Sequence, residues 1–99
     1  MKILALEQDI PGVKDEQFYP HLNDEAARVW ELYQAGVLRE IYFRQDRSNA
    51  VLVLECSDVG EARGLLETLP LVRAGLIDFE IIPLIPYPGL SRLFNSEFM

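Results

Sequence analysis

Apolar residues run without alternation at the start of the chain, where Ile3, Leu4, Ala5 and Leu6 are contiguous. Such a run over residues 1–6 predicts a strand covered on both faces. Ile10-Pro11-Gly12 then breaks it with a strong turn signal. Helical spacing follows over 20–35: Leu22, Ala26, Val29 and Tyr33 form one stripe at i, i+4, i+7 and i+11. Pro20 suits a helix's first turn, and Gly36 is a natural stop. Residues 37–44 alternate. Leu38, Glu40, Tyr42 and Arg44 are predicted on one face, and Val37, Arg39, Ile41 and Phe43 on the other. The polar turn at 45–49 is short, so the apolar strand at 50–56 should pair with 37–44 as an antiparallel hairpin. Asp58 followed by Glu61 is a capping-box pattern that opens a second helix. Val59, Ala62, Leu65, Leu66 and Leu69 supply its buried stripe, and Pro70 ends it. After Gly75 a last strand over 76–84 alternates Ile77, Phe79 and Ile81 with Asp78 and Glu80.

The order strand, helix, strand, strand, helix, strand predicts an α+β fold of the ferredoxin-like βαββαβ type. Right-handed crossovers place both helices on one face of a four-stranded antiparallel sheet. Two helices cover one face only, yet the first and third strands are apolar on both. The uncovered face is then a patch of the kind that marks an interface. Two such sheets packed face to face make a dimeric α+β barrel. Residues 1–85 are expected to form the domain. Residues 86–99 hold Leu90, Leu93, Phe94 and Phe98, too apolar for an ordinary disordered end. They read as a C-terminal arm reaching a neighbouring subunit. No internal repeat or low-complexity tract is present.

Composition sharpens this picture. Hydrophobic residues make up 49% of the 99 residues, high for so small a body. The net charge is −7. Nucleic-acid binding needs clustered basic residues to displace counterions, and anionic membrane surfaces need the same sign. Neither partner is expected; a small-molecule ligand and a second copy of the chain are. Cys56 is the single cysteine, so no intrachain disulfide can form, which fits a reducing compartment. No signal-peptide pattern is visible, and no apolar run approaches the roughly 20 residues of a membrane span. The expected location is cytoplasmic.

Few residues offer chemistry. His21 and Glu25 are four apart near the start of the first predicted helix, on one flank. Glu25 borders the apolar stripe. A carboxylate holding an imidazole is a workable acid/base pair near neutral pH. The alternative is a salt bridge at the helix start, with Glu25 also placed to pair with Arg28. Glu40 and Tyr42, with Asp78 and Glu80, are the polar members of two strands. Inside an apolar cavity they would serve a ligand; otherwise they sit at solvated strand ends. Cys56 ends an apolar strand and reads as a small buried residue. One histidine and no clustered cysteines give no metal-ligand spacing. No glycine-rich phosphate loop follows a strand.

The segment from Asp24-Glu25 to Gly36, then Gly36-Val37-Leu38-Arg39-Glu40-Ile41-Tyr42, resembles the muconolactone isomerase family. Leu69-Pro70-Leu71, Ile77-Asp78-Phe79-Glu80 and Pro88 are similar to it as well. The resemblance implies a ferredoxin-like subunit in a homo-oligomer, with a pocket at or near the subunit interface. It also implies a double-bond shift by proton removal and return, with no metal or organic cofactor. Arg39 matches the family arginine, and a guanidinium there suits a substrate carboxylate, with pairing to a neighbouring carboxylate as the alternative. Tyr42 stands where the family has tryptophan, placed to stack on a ligand or simply to pack. Leu38 replaces an aromatic residue, Phe43 stands where a second arginine is expected, and the loop at 72–75 is longer. Two further readings of the same fold remain open: a non-catalytic small-molecule binder, and a structural barrel protein.

Overall fold

A computed structural model describes residues 1–94. Its elements are β1 (Lys2–Asp9), α1 (Leu22–Gln34), β2 (Leu38–Phe43), β3 (Ala50–Glu55), α2 (Val59–Leu66), α3 (Pro70–Arg73) and β4 (Ile77–Pro83). The strands form one antiparallel sheet in the order β2-β3-β1-β4. This is the α+β, ferredoxin-like arrangement that the hydrophobic pattern predicts. None of the helices among the described residues is long and apolar enough to cross a membrane.

One sheet face carries the core. Ile3 and Ala5 on β1, Leu52 and Leu54 on β3, and Ile77 and Phe79 on β4 are buried there, against Ala62, Leu66 and Leu69. Residues two apart on a strand share a face, so Leu4, Leu6, Val51, Val53 and Ile82 point the other way. No helix covers them, and they are half-buried by one another. Asp78 and Glu80 share that face, as the alternation predicts.

Both helix-to-strand junctions use one device. Gly36 takes φ +78° and Gly75 takes φ +75°. Val37 N then donates to the Leu32 carbonyl at 3.1 Å, and Leu76 N to the Leu71 carbonyl at 3.0 Å. These are Schellman closures, which need a residue that tolerates positive φ. At the start of α2, Asp58 accepts from Glu61 N at 2.7 Å. The return bond of the capping pattern goes one residue upstream, from Ser57 Oγ to Glu61 at 2.8 Å.

Three expectations are corrected. The first helix begins at Leu22 rather than at Pro20, because 3-10 turns occupy Asp15–Gln17 and Tyr19–His21. Pro70 does not merely end the second helix. Leu69 is extended (φ −70°, ψ 130°), as a residue before proline prefers, and Pro70 opens α3 from its first position. α3 fills much of what reads as a loop at 72–75. The third correction concerns β2. Leu38 pairs with Leu54 but Glu40 pairs with Val53, so Arg39 is the extra residue of a β-bulge. The bulge shifts the alternation. Leu38 joins Ile41 and Phe43 on the helix-covered face, and Glu40 and Tyr42 lie on the bare one.

The segment after β4 leaves the body. A 3-10 stretch, Pro88–Leu93, carries Leu90 and Leu93 exposed to solvent, and Phe94 just after it is exposed too. The radius of gyration is 17.0 Å and the long axis 60 Å, against about 13 Å for a compact chain of this length. Phe98, the last apolar position of the predicted arm, lies outside the described residues.

Candidate functional site

α1 is amphipathic, but only Leu32 among its residues is buried. Of the predicted stripe of Leu22, Ala26, Val29 and Tyr33, Val29 packs against the core and none is fully buried. The stripe forms one wall of a cavity of about 490 Å3. The opposite wall is the covered sheet face, with Leu38, Ile41 and Phe43 from β2, Ala50 and Leu52 from β3, and Ile77 and Phe79 from β4. Leu69 and Leu71 complete it. Ala26 and Ala50 both line the space, and neither is large enough to fill it. Trp30 and Tyr33 stack at one side, with ring centroids 5.7 Å apart and planes inclined by 17°. A volume of this size suits a small organic molecule.

Two lining residues are acidic, Glu7 and Glu25. Glu7 continues the inward row Ile3, Ala5, Glu7 on β1 and lies opposite Phe79 on β4. The ladder between β1 and β3 ends at Leu6 and Val51. The next amide, Ala50 N, donates to Glu7 Oε1 at 3.0 Å. Asn49, the buried polar residue beside it, donates to the Glu7 carbonyl at 3.3 Å and to Asp9 Oδ1 at 3.0 Å. The end of the β2–β3 hairpin thus holds the Glu7 backbone and side chain together.

Glu25 comes from the first turns of α1. Its Oε1 accepts from Leu71 N at 3.0 Å. Pro70 has no N–H, so Leu71 supplies the first free donor of α3, and Leu69 provides no side-chain cap. A carboxylate from another helix therefore does the capping. Among the described residues the second oxygen of each glutamate has no hydrogen-bond partner.

Burial raises the Glu25 carboxyl above its ordinary value of 4.5, against the opposing pull of the Leu71 amide and of His21. Burial raises Glu7 too, against the Ala50 amide, and the charges on Asp9 and Glu25 push it further up. Two carboxyls on the helix and sheet walls of an apolar space, each raised by burial, are groups that can give and take protons.

The five residues singled out in the sequence do not come together. Glu25 lines the cavity. His21 sits in the turn before α1, acts on Glu25 through its charge, and does not line the cavity. Arg28 bonds Thr68 Oγ1 at 2.9 Å and Glu31 at 3.3 Å, so the Glu25–Arg28 pairing is replaced by a tie to the end of α2. The Arg39 guanidinium folds back onto the Gly36 carbonyl from the bulge, on the surface. Tyr42 Oη donates to Glu40 Oε1 at 2.7 Å on the bare sheet face, away from the cavity. Glu7 is the cavity residue that sequence reasoning missed. The signal was present: a strand carried past Leu6 places Glu7 on the Ile3 and Ala5 face. Among the described residues, no group of three or more His, Cys, Asp or Glu side chains is gathered as a metal site.

Solved structures share this fold. The chain superposes on muconolactone isomerase with a TM-score of 0.73 at 19% identity, covering 90% of this chain and 93% of that one. It superposes on 5-chloro-2-hydroxyhydroquinone dehydrochlorinase from Burkholderia phenoliruptrix, in complex with 2,5-dihydroxybenzoquinone, with a TM-score of 0.64 at 17% identity. That match covers 90% of this chain and 98% of the other. No family model matches the sequence, and no curated protein is similar enough to count as a relative.

Proposed function

We propose that this protein is a cofactor-free isomerase that shifts a proton between two positions of a small cyclic molecule held between α1 and the sheet. The observation behind the reading is the pair of glutamates on facing walls of an apolar cavity, each with one oxygen held by an amide and one left free. In this reading one glutamate removes a proton from carbon or oxygen as general base. The other, protonated, returns one elsewhere on the ring. Glu7 is held by β1 and the hairpin, Glu25 by the start of α3, so neither needs to reorganise as charge moves. His21 tunes Glu25 rather than touching the ligand. The shared fold with an isomerase and a dehydrochlorinase supports a small-molecule site but leaves the reaction to the residues of this chain.

The assembly belongs to the same proposal. The bare face with Leu4, Leu6, Val51, Val53 and Ile82 pairs with its equivalent in a second copy, and the apolar arm from Pro86 onward packs on a neighbour. Arg39, Glu40 and Tyr42 then lie at or beside the subunit interface rather than on the ligand.

Deuterium wash-in tests the reaction. A panel of cyclic enones, unsaturated lactones and dihydroxylated rings is incubated with the protein in D2O and followed by proton NMR. Exchange accelerated by the native chain, and lowered roughly a hundredfold or more in Glu7→Gln and Glu25→Gln, is the expected result. Compounds that bind but exchange no faster than in buffer would favour a binding protein of the same fold.

A further inference from the structure

Among the described residues no cation lines the cavity that holds the two glutamates, and His21 acts on Glu25 from outside that lining. Every other lining residue is apolar or aromatic, from Leu22 and Val29 on α1 to Phe79 on β4, and the polar groups among them, on Trp30 and Tyr33, are uncharged donors. No Lys, Arg or His lines it. The guanidinium nearest in the sequence motif, Arg39, is occupied with the Gly36 carbonyl. The amides of two lining residues, Ala50 and Leu71, are taken by the glutamates themselves. The last five residues, Asn95 to Met99, contain no basic side chain either.

We infer that the site takes an uncharged ring compound bearing hydroxyl or keto groups and discriminates against carboxylates. The inference rests on the proposed function for the location of the site, but it concerns the ligand's charge and not its turnover.

An incoming carboxylate would leave water for a wall with no cation among the described residues, where the Trp30 indole N–H and the Tyr33 hydroxyl are uncharged donors. It would also face two groups of its own sign. Burying an unpaired anion is strongly unfavourable, and a like-charged neighbour adds to the cost. A neutral hydroxyl or ketone meets the opposite situation. Each glutamate has a free oxygen that accepts from a hydroxyl when ionised and donates to a carbonyl when protonated. The ring itself is matched by the walls. Trp30 and Tyr33 offer a stacked pair, and Leu22, Trp30, Tyr33, Ile41 and Phe43 are all lining residues left exposed. So much apolar surface around one opening is covered by an apolar ligand at little desolvation cost.

The test uses 2-naphthol and 2-naphthoate, which share a ring system and differ in charge at neutral pH. Binding to the full-length protein is measured by calorimetry. The indole N–H resonance of Trp30, the single tryptophan, reports whether each ligand enters the cavity. The expected result is 2-naphthol binding at least about tenfold more tightly than 2-naphthoate, or about 1.4 kcal/mol. A bare apolar pocket would also prefer the neutral ring, so the Glu7→Gln, Glu25→Gln double variant supplies the decisive comparison. Glutamine keeps the oxygen that accepts the amide bond and removes the charge. The naphthol-to-naphthoate ratio should narrow by about threefold or more. An unchanged ratio in the variant, or naphthoate bound as tightly as naphthol in the native chain, overturns the charge inference and leaves the cavity standing as a ligand site. Failure of both compounds to shift the Trp30 resonance overturns the inference together with the location it rests on.

Discussion

Glu7 and Glu25 are strained electrostatically in the folded chain, and the sign of that strain can be measured. Burial raises both carboxyls above 4.5, so the native state binds protons more readily than the unfolded chain. Stability is then greatest below the unfolded value and falls as pH rises through the folded one. Thermal melting across the range from about pH 4 to pH 8 should show this decline in the native chain, and a visibly flatter profile in the Glu7→Gln, Glu25→Gln double variant. An identical slope in both proteins would mean that neither glutamate is buried as described. Glu25 was legible in the sequence because helical spacing places it beside an apolar stripe. Glu7 was not, because a strand boundary drawn at the last apolar residue excluded it. The Arg39 guanidinium likewise has no sequence signal for its return to Gly36, since that contact follows from a bulge that alternation cannot register.

The strands and helices themselves follow from periodicity, proline and glycine, and their order fixes the sheet. What periodicity does not distinguish is a stripe that packs from a stripe that lines a space. Leu22, Ala26, Val29 and Tyr33 obey the rule for a core-facing helix and are a cavity wall. The difference lies in small residues on both walls, Ala26 and Ala50, a tertiary matter. The hairpin offers a prediction at this level. Asn49 is buried and ties the turn to β1 through the Glu7 carbonyl and Asp9. Asn49→Ala removes both bonds and leaves the carbonyl unpaired, which should cost about 1–3 kcal/mol. Urea denaturation would show it as a lowered midpoint with an unchanged slope. A loss below a few tenths would place Asn49 outside the framework that holds Glu7.

The whole chain exposes two apolar features that a lone subunit has no use for, the bare sheet face and the extended segment after β4. Exposed apolar surface of this kind marks interaction sites, and the proposed assembly would cover both features. Light scattering with size-exclusion chromatography should give a dimer or a higher multiple at micromolar concentration. Val53→Glu, on the bare face, should reduce the assembly while leaving the far-ultraviolet circular dichroism of the fold in place. Deleting the chain after Pro86 should also lower the mass of the assembly. Full assembly retained after that deletion would assign the arm another purpose. The strand polarity that suggests pairing was readable in advance. The direction taken by residues 86–94 was not, because hydrogen bonds of this segment, from Ser91 to Pro88 and from Phe94 to Ser91, are local to it.

Arg39 has a consequence for how this chain should be compared with others. Without it, Leu38 and Glu40 would follow each other on opposite faces of an unbroken ladder, still opposite Leu54 and Val53. The residue is surplus to the pairing, a place where the chain can differ in length by one without changing what faces the cavity. A length change at 40–43 has no such freedom, since it would exchange Ile41 and Phe43 for Tyr42 across the sheet. Against a chain that lacks the extra residue, an alignment that counts evenly from Gly36 puts the wrong side chains in correspondence downstream of Arg39. One that opens its gap at Arg39 keeps the two faces of β2 distinct.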